Sequence, residues 1–440
     1  MWYVRGFKKA AGGVQGRSAT APVGCLDILE PLRFTLPNHS LVQHSMSSIP
    51  FDEFSRVVTE SGVEGSLDFL EQHFRREQDF FKLFEVLKMR CRHGLGLPLI
   101  YSKQPDDLDE TQQRQLEDCL LAACREIGIL FFNLGKFQEG WMYLQPVGDK
   151  ELNEKLIRKI ESDEESIDAL IDMAVSQGAA PVYGYRLLLK HYGTCNGITT
   201  FDTQSSRFDS EIQKQMAEEL LEHIYSELIE NVKYSIENAE AGSAVESDSE
   251  VPTSHENEER RLTDWLQLYP DLTAGGAHHV DTTHLASVMR IARPVDKRES
   301  LRKLSELAEY GSRLHDDFKY PGNAPFEDTY RDHQLFYGAL LGENVEGAIA
   351  HFLAKTVSTE ADQLGPVVEE SYVEFLARLG KNTEAIEFLT DRLLGKFESL
   401  GIAPPPFELA DTPESLQKLR DFYHSSDDLL GYAVCCLKAQ

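Results

Sequence analysis

The stretch from Cys124 to Leu144 constrains the fold of this chain more than any other feature. Small and aromatic residues recur in it at the spacing of two antiparallel helices. Gly135 follows Leu134 where a first helix would stop, and Gly140 lies where a second helix would approach the first closely. Gly128 is the small residue expected where the first helix meets the second. These spacings predict a helix-turn-helix unit whose two helices pack with little separation.

Two later segments carry the same kind of pattern. Their small residues Ala348 and Ala385 lie 37 positions apart (385 − 348), close to the roughly 34-residue period of tetratricopeptide repeats. All three units resemble such repeats, and they would occupy about 116–146, 331–354 and 367–394. The two later units are built on Leu335, Gly342, Ala348 and Phe352, and on Tyr372, Leu376, Gly380, Ala385 and Leu389.

The resemblance implies an all-α fold in which antiparallel helix pairs stack as an α-solenoid. Because the helices of a single repeat cannot bury their apolar face alone, we expect each pair to be covered by its neighbours. Two helical domains are expected, 46–234 and 260–440. Residues 235–259 carry eight acidic side chains and no Lys or Arg, which predicts a disordered acidic linker between these domains.

Residues 1–45 differ from the rest of the chain. Their first four charged side chains are all basic, and Gly, Ala, Ser and Pro are frequent without a helical or strand period. This composition predicts a disordered basic extension. It lacks the apolar core of about 7–15 residues found in a secretory signal, and a transit peptide is the weaker alternative. We expect Met46 to be the real start, and a native N-terminal peptide beginning before it would refute this.

The charge of the chain limits its partners. A formal net charge of −29 and an isoelectric point near 4.9 disfavour nucleic acid and anionic membrane surfaces, since both would be repelled. We expect neither as a partner and favour another protein with a basic or extended segment. The sequence has no run of about 18 apolar residues, so no transmembrane helix is expected.

The cysteines indicate a reducing compartment. They are scattered through helical pattern, without a Cys-x-x-Cys pair or a secretory signal. We therefore expect reduced thiols, most of them small core residues, in a cytoplasmic protein. The seven cysteines are Cys25, Cys91, Cys119, Cys124, Cys195, Cys435 and Cys436.

One of these thiols is a candidate nucleophile. Cys195 lies in the segment 191–202, which its glycines and polar residues predict to be a loop, and His191 and Asp202 end that segment. Nucleophilic cysteine chemistry needs a thiolate, a base and amide donors, and these residues are of the required types. The spacing matches no cysteine-hydrolase signature. We favour the simpler alternative, a turn that places a buried cysteine against two helices.

A histidine cluster at 278–284 is a candidate metal site. His279, Asp281 and His284 could supply two imidazoles and a carboxylate. The segment precedes a predicted helix instead of lying on it, so the His-x-x-x-His geometry of one helical face is absent. Hydrogen bonds from His279 and His284 at the helix start are the favoured alternative. The chain also lacks a Gly-rich phosphate loop, and no cofactor is expected.

These observations rank three functions. The first is a non-catalytic protein-binding scaffold or adaptor, which the resemblance implies because tetratricopeptide-like repeats usually hold peptides or helices of partners. An enzyme or thiol sensor using Cys195 is the second, and a metal-binding protein is the third. The residues expected to line the repeat surfaces lie near turns or polar faces and are Asn133, Lys136, Asn344 and Asn382.

Overall fold

The computed structural model describes six stretches of the chain. Eighteen α-helices and no β-strand occur in these stretches, so the all-α prediction is confirmed for them. Within the same stretches, no helix combines the length and the apolar content needed to cross a membrane. The predicted basic extension 1–45 lies outside the described residues. The described stretches are 51–100, 108–160, 166–244, 260–357, 366–394 and 405–439.

The first compact unit ends at Ser166 and contains five helices. These are α1 (Phe51–Arg76), α2 (Phe80–Gly94), α3 (Glu110–Asn133), α4 (Phe137–Leu144) and α5 (Lys150–Ile157). Asp79, Asp109 and Asp149 each precede one of these helices and accept a hydrogen bond from a backbone amide of its first turn, at 3.2, 2.8 and 2.9 Å. Because the first amides of a helix have no partner within it, these carboxylates stabilise the helix starts.

Helices α3 and α4 form a helix-turn-helix unit at the predicted place. Gly135 follows the end of α3 with a φ of 72°, a left-handed conformation that glycine adopts without steric cost. At the crossing, a Cβ atom on Gly128 would lie 3.0 Å from the carbonyl oxygen of Gly140, and a Cβ atom on Gly140 would lie equally close to that of Gly128. The two glycines therefore let the helix backbones touch, as their spacing predicts.

A disulfide bond between Cys91 and Cys119 joins α2 to α3. The prediction of reduced thiols is wrong for this pair. The two cysteines are 28 positions apart and meet because α2 packs against α3, a relation that no local pattern reveals. Since disulfides persist mainly in oxidising compartments, the cysteines no longer indicate a reducing one. The free cysteines of the described stretches are Cys124, Cys195, Cys435 and Cys436.

The second compact unit begins at Ile167 and contains the other thirteen helices of the described stretches. These are α6 (Ile167–Ile171), α7 (Pro181–Gln204), α8 (Ser210–Ala244), α9 (Leu262–Leu268), α10 (Thr282–Ile291), α11 (Arg298–Ser312), α12 (Thr329–Leu341), α13 (Val345–Lys355), α14 (Val367–Arg378), α15 (Asn382–Arg392), α16 (Pro406–Leu409), α17 (Pro413–Ser425) and α18 (Leu429–Lys438). From α11 to α15 each helix contacts the next, α15 contacts α17, and α17 contacts α18. The chain thus adds helices one after another along this part of the unit.

The pairs α12–α13 and α14–α15 share one type of joint. Gly342 and Gly380 follow the first helix of each pair, with φ of 96° and 71°. The amide after each glycine donates to a carbonyl five residues earlier, at 2.7 and 2.9 Å, which is the hydrogen bond of a Schellman motif. The small residues Ala348 and Ala385 of the second helices are fully buried. Both joints therefore have the local geometry that their sequences predict.

Helix α8 extends into the predicted acidic linker. It continues to Ala244, so only 245–259 of the residues predicted as linker remain, and these lie outside the described residues. Helix α8 packs on α10 and α11, and Lys303 Nζ lies 2.5 Å from Glu222 Oε1 across one of these contacts. The predicted domains 46–234 and 260–440 therefore differ from the compact units, because α7 and α8 belong with helices after residue 260. The acidic composition of the chain does not reveal that carboxylates of α8 form ion pairs with lysines beyond residue 260.

Residues 191–202 are helical, and the prediction of a loop there is wrong. They lie within α7, whose helical geometry breaks only at Gly193, with φ 74° and ψ −178°. The helix bends sharply at this point, so that a Cβ atom on Gly197 would lie 2.3 Å from Leu189 Cδ2. The Tyr185 hydroxyl donates to the carbonyl of Gly197 at 2.9 Å. The glycines thus serve a bend and a close contact between two helical segments.

Candidate functional site

The thiol candidate lacks the neighbours that nucleophilic chemistry needs. Cys195 is exposed on α7, so the favoured alternative of a buried cysteine is also wrong. Among the described residues, no hydrogen bond joins its thiol to His191 or Asp202. Both carboxylate oxygens of Asp202 instead accept from Nη2 of Arg290, at 3.0 and 2.8 Å. The structure does not assemble the three predicted residues into a catalytic group.

The segment 278–284 forms a helix start, but Asp281 caps it, and the favoured alternative of capping by His279 and His284 is wrong. Asp281 Oδ1 accepts hydrogen bonds from the backbone amides of Thr283 and His284, at 2.8 and 3.2 Å. The hydrogen bond from the Thr283 hydroxyl, followed by those from the two amides, lowers the pKa of Asp281 against the effect of burial. His279 Nδ1 lies 3.0 Å from the hydroxyl oxygen of Tyr310. In the part of the chain that the structure describes, no three His, Cys, Asp or Glu side chains are grouped to hold a metal ion.

The four residues expected to line repeat surfaces all lie at joints between helices. In the first unit, Asn133 ends α3 and Lys136 precedes α4, and both are exposed. In the second unit, Asn344 is exposed before α13. The side-chain amide of Asn382 donates to Asp411 Oδ2 at 2.7 Å. Asn382 therefore connects α15 to the segment before α17, whereas the other three present polar side chains at the surface.

The second unit contains a cleft of about 320 Å³ that sequence reasoning did not single out. One wall is a face of α10, formed by side chains three or four positions apart, which lie on the same side of a helix. The other wall is the loop between α11 and α12, together with the first turns of α12. Side chains that line the cleft include Thr283, Ser287, Arg290, Arg293, Phe326 and His333.

Hydrogen bonds and an ion pair hold the loop wall of this cleft. The Thr329 hydroxyl donates to the carbonyl of Tyr320 at 2.6 Å. Lys355 Nζ donates to the carbonyl of Pro325 at 2.6 Å and lies 2.6 Å from the buried carboxylate of Asp332. The loop is therefore tied both to α12 and to α13. A wall fixed at several points gives a preformed cleft, which is usual for ligand sites.

His333 lines the cleft although only 2% of its surface is exposed. Its Nδ1 lies 2.5 Å from the carbonyl oxygen of Thr329, so Nδ1 carries the proton and Nε2 is left as an acceptor. Burial lowers the pKa of His333 to about 3, which keeps the ring neutral. Nε2 is buried and has no hydrogen-bond partner among the described residues. The ring stacks on Phe326, with 4.3 Å between centroids.

Arg293 is a half-buried cation beside the same aromatic ring. Its guanidinium carbon lies 4.8 Å from the centre of Phe326, and its Nε donates to the carbonyl of Arg290 at 3.2 Å. No Asp or Glu oxygen of the described residues lies within 4.0 Å of its nitrogens. Burial lowers the pKa of Arg293, and the charge of Arg290 adds to this effect, whereas Tyr337 and Glu374 oppose it.

Comparisons with known proteins assign no family to this chain. No protein-family model matches it, and no curated protein is similar to it in sequence. The resemblance to tetratricopeptide repeats therefore stays a prediction.

Sequence reasoning missed Arg290, Arg293 and His333. The sequence did show two arginines near the end of a helix that Pro294 terminates. Basic residues at a helix C-terminus are common, however, because they complement the helix dipole. His333 lies 40 positions beyond Arg293 (333 − 293). It reaches the cleft because α10 packs against α12.

Proposed function

We propose that this chain is a non-catalytic helical-repeat protein that binds another protein. In this proposal, the helix pairs of the second unit stack as a tetratricopeptide-like α-solenoid. The observation that carries it is the succession of contacts from α11 to α18, in which pairs with the same glycine joint follow one another. Arrays of this kind present an extended surface that holds segments of other proteins.

Helix α18 offers the surface best suited to such a partner. Leu430 and Leu437 are seven positions apart and therefore share one helical face, and they are 77% and 67% exposed. Neighbouring Leu429 is 79% exposed. Single exposed leucines are common, but a contiguous apolar face marks an interaction site. The net charge of −29 favours a partner helix that carries basic residues beside its apolar face.

The test compares the full chain with a variant that carries Leu430→Asp and Leu437→Asp. Partners are captured from lysate of the native organism, washed at low and moderate salt, identified, purified and titrated. We expect a stoichiometric protein that survives moderate salt and binds the variant at least about tenfold more weakly. Val357→Asp is the matched control, since Val357 is 62% exposed two residues beyond the end of α13.

Three results would overturn the proposal. A partner that is lost on adding salt would implicate only the acidic surface. Equal binding by the double variant would remove α18 as the site. Failure to capture any stoichiometric protein would remove the scaffold function itself.

The cytoplasmic location expected from the sequence stays a prediction, and the disulfide between Cys91 and Cys119 opposes it. A cytoplasmic location requires Cys91 and Cys119 to be reduced in cells, because the cytoplasm keeps thiols reduced. Finding the disulfide in protein alkylated within intact native cells would contradict a cytoplasmic location.

A further inference from the structure

Two residues that line the cleft between α10 and the α11–α12 loop, Arg293 and His333, each carry a group that lacks, among the described residues, the partner its chemistry requires. One is the guanidinium of Arg293, and the other is Nε2 of His333. Neither group belongs to the α18 surface of the proposed function. They differ in kind, since one is a cation and the other a neutral acceptor.

Arg293 calls for an anion. Removing a guanidinium from water without an anion to pair with it is costly. Arg290 is itself a cation and cannot neutralise Arg293, and its own charge is already paired with Asp202. The planar guanidinium can donate two parallel N–H groups to a carboxylate or a phosphate, which makes arginine the preferred partner of such oxyanions.

His333 calls for a hydrogen-bond donor. A buried acceptor without a partner is destabilising, and the ring cannot relieve this by protonation because burial holds its pKa at about 3. The ring cannot turn freely either, since it stacks between Phe326 and Tyr337, at 4.3 and 5.7 Å. A ligand that places an O–H group at Nε2 would satisfy it.

The cation is held in place by its surroundings. Arg378 donates from Nη1 to the carbonyl of Arg293 and from Nη2 to that of Val295, the latter at 2.6 Å. The backbone that carries the guanidinium is therefore fixed to α14. The hydroxyls of Thr283 and Ser287 already donate to Asp281 Oδ1 and to the Thr283 carbonyl, so the anion would depend mainly on Arg293.

We propose that this cleft binds a small oxyanion that also carries a hydroxyl group, with its charge on Arg293 and its O–H donated to His333 Nε2. Inorganic phosphate and small hydroxycarboxylates share this chemistry. Phosphate keeps a proton at neutral pH and so carries an O–H group, whereas sulfate carries none. A 2-hydroxy acid likewise carries an O–H group that its deoxy analogue lacks. The volume of about 320 Å³ lies at the small end of ligand sites.

The experiment measures binding by calorimetry on the full chain at constant ionic strength, with four probes in two matched pairs. The pairs are phosphate with sulfate and lactate with propionate. We expect the hydroxyl-bearing member of at least one pair to bind about tenfold more tightly than its analogue. Phosphate preference would identify the inorganic ion as the source, and lactate preference would identify hydroxycarboxylates.

Variants separate the two roles. Arg293→Met removes the charge and keeps an apolar stem beside Phe326, and it is expected to weaken every probe at least tenfold. His333→Met removes the acceptor, and it is expected to abolish the preference within each pair, which His333→Gln, with a side-chain carbonyl oxygen, restores in part. Arg302→Met is the matched control, since Arg302 lies on α11 with 40% of its side chain exposed, and it is expected to change nothing.

Several outcomes would overturn the proposal. Equal affinity for both members of each pair in the unaltered chain would remove the role of His333. Unchanged binding by Arg293→Met would remove that of Arg293, and no binding of any probe would remove the site. If Arg293→Met does not fold, as judged by circular dichroism, Arg293→Lys keeps the charge and loses the two parallel donors. Unchanged binding by that variant would equally refute the proposed geometry.

Discussion

Replacing Gly128 with alanine is expected to destabilise the first unit although alanine is the better helix former. The new Cβ would lie 2.5 Å from Leu144 Cγ and 3.0 Å from the carbonyl oxygen of Gly140. Leu144 is fully buried and the oxygen belongs to a helix backbone, so neither can yield easily. Overpacking costs about 1–3 kcal/mol, and a site blocked on two sides belongs in the upper half of that range. Subtracting about 1 kcal/mol for helix propensity leaves a net loss of about 1–2 kcal/mol.

Gly94→Ala is the matched control in the same unit. Gly94 ends α2 and is exposed, and an added methyl group there would have no neighbouring atom within 4 Å. This variant is expected to keep its stability or gain up to about 1 kcal/mol. Gly140→Ala is expected to behave like Gly128→Ala, because its Cβ would lie 2.3 Å from Phe132 Cδ2. Since one separation of the helices relieves both contacts, the double variant is expected to lose less than the sum of the single losses.

The assay follows this region alone, since two compact units need not unfold together. Hydrogen exchange of peptides covering 120–144, measured against urea, gives the free energy of opening for α3 and α4. Gly128→Ala is expected to lower that free energy while peptides of the second unit keep theirs. A Gly128→Ala chain as stable as Gly94→Ala would refute the backbone contact between α3 and α4.

Alkylation before reduction is expected to leave Cys91 and Cys119 unlabelled, and reduction is expected to cost about 3–4 kcal/mol for a loop of this length; labelling of both without reductant would disprove the bond. Cys195 is expected to react with iodoacetamide no faster than in the denatured chain, and much faster reaction would restore it as a nucleophile. Asp281→Ala is expected to cost about 1 kcal/mol at pH 7 by removing a helix cap. Because folding lowers the pKa of Asp281 below its ordinary 3.8, this stabilisation is present above pH 3.8 and is lost as the pH falls through the folded value. A difference between variant and unaltered chain that does not shrink as the pH falls below 3.8 would contradict the cap.

The helix pairs could be predicted because their determinants are local. In the first pair, Gly135 ends α3 and Gly128 faces Gly140 within a dozen residues of chain. Helical period and turn glycines are properties of neighbouring residues, so a sequence reveals them without knowledge of the rest of the fold. The same local logic failed in α7, where glycines that usually mark loops serve a bend at Gly193. A glycine reveals that the backbone turns, but it does not reveal whether helix continues on both sides.

The compact units and the cleft could not be predicted because they depend on distant partners. Lys297 and Lys303 pair with Glu218 and Glu222 across 79 and 81 positions, and these pairs join α8 to helices beyond the predicted linker. The composition of the chain shows that acidic residues are in excess, but it does not show which of them form ion pairs with lysines. Similarly, a lone buried histidine is usually a satisfied core residue. His333 is unusual only because its Nε2 lacks a partner among the described residues, which requires coordinates to recognise.

The absence of a described carboxylate beside Arg293 is informative because this chain has so many. Acidic side chains outnumber Lys and Arg by 29 (73 − 44), and Arg290, three positions away, pairs with Asp202. A shortage of carboxylates in the chain cannot explain why no described one pairs with Arg293. Ser287 lines the same cleft, and Ser287→Asp would place a carboxylate where the oxyanion is proposed to bind. Like charges repel, so this variant is expected to bind phosphate at least about tenfold more weakly, while Ser287→Asn, of similar size and uncharged, is expected to bind it more tightly than the aspartate variant does. Equal phosphate affinity of the two variants in calorimetry would show that the anion does not occupy the cleft.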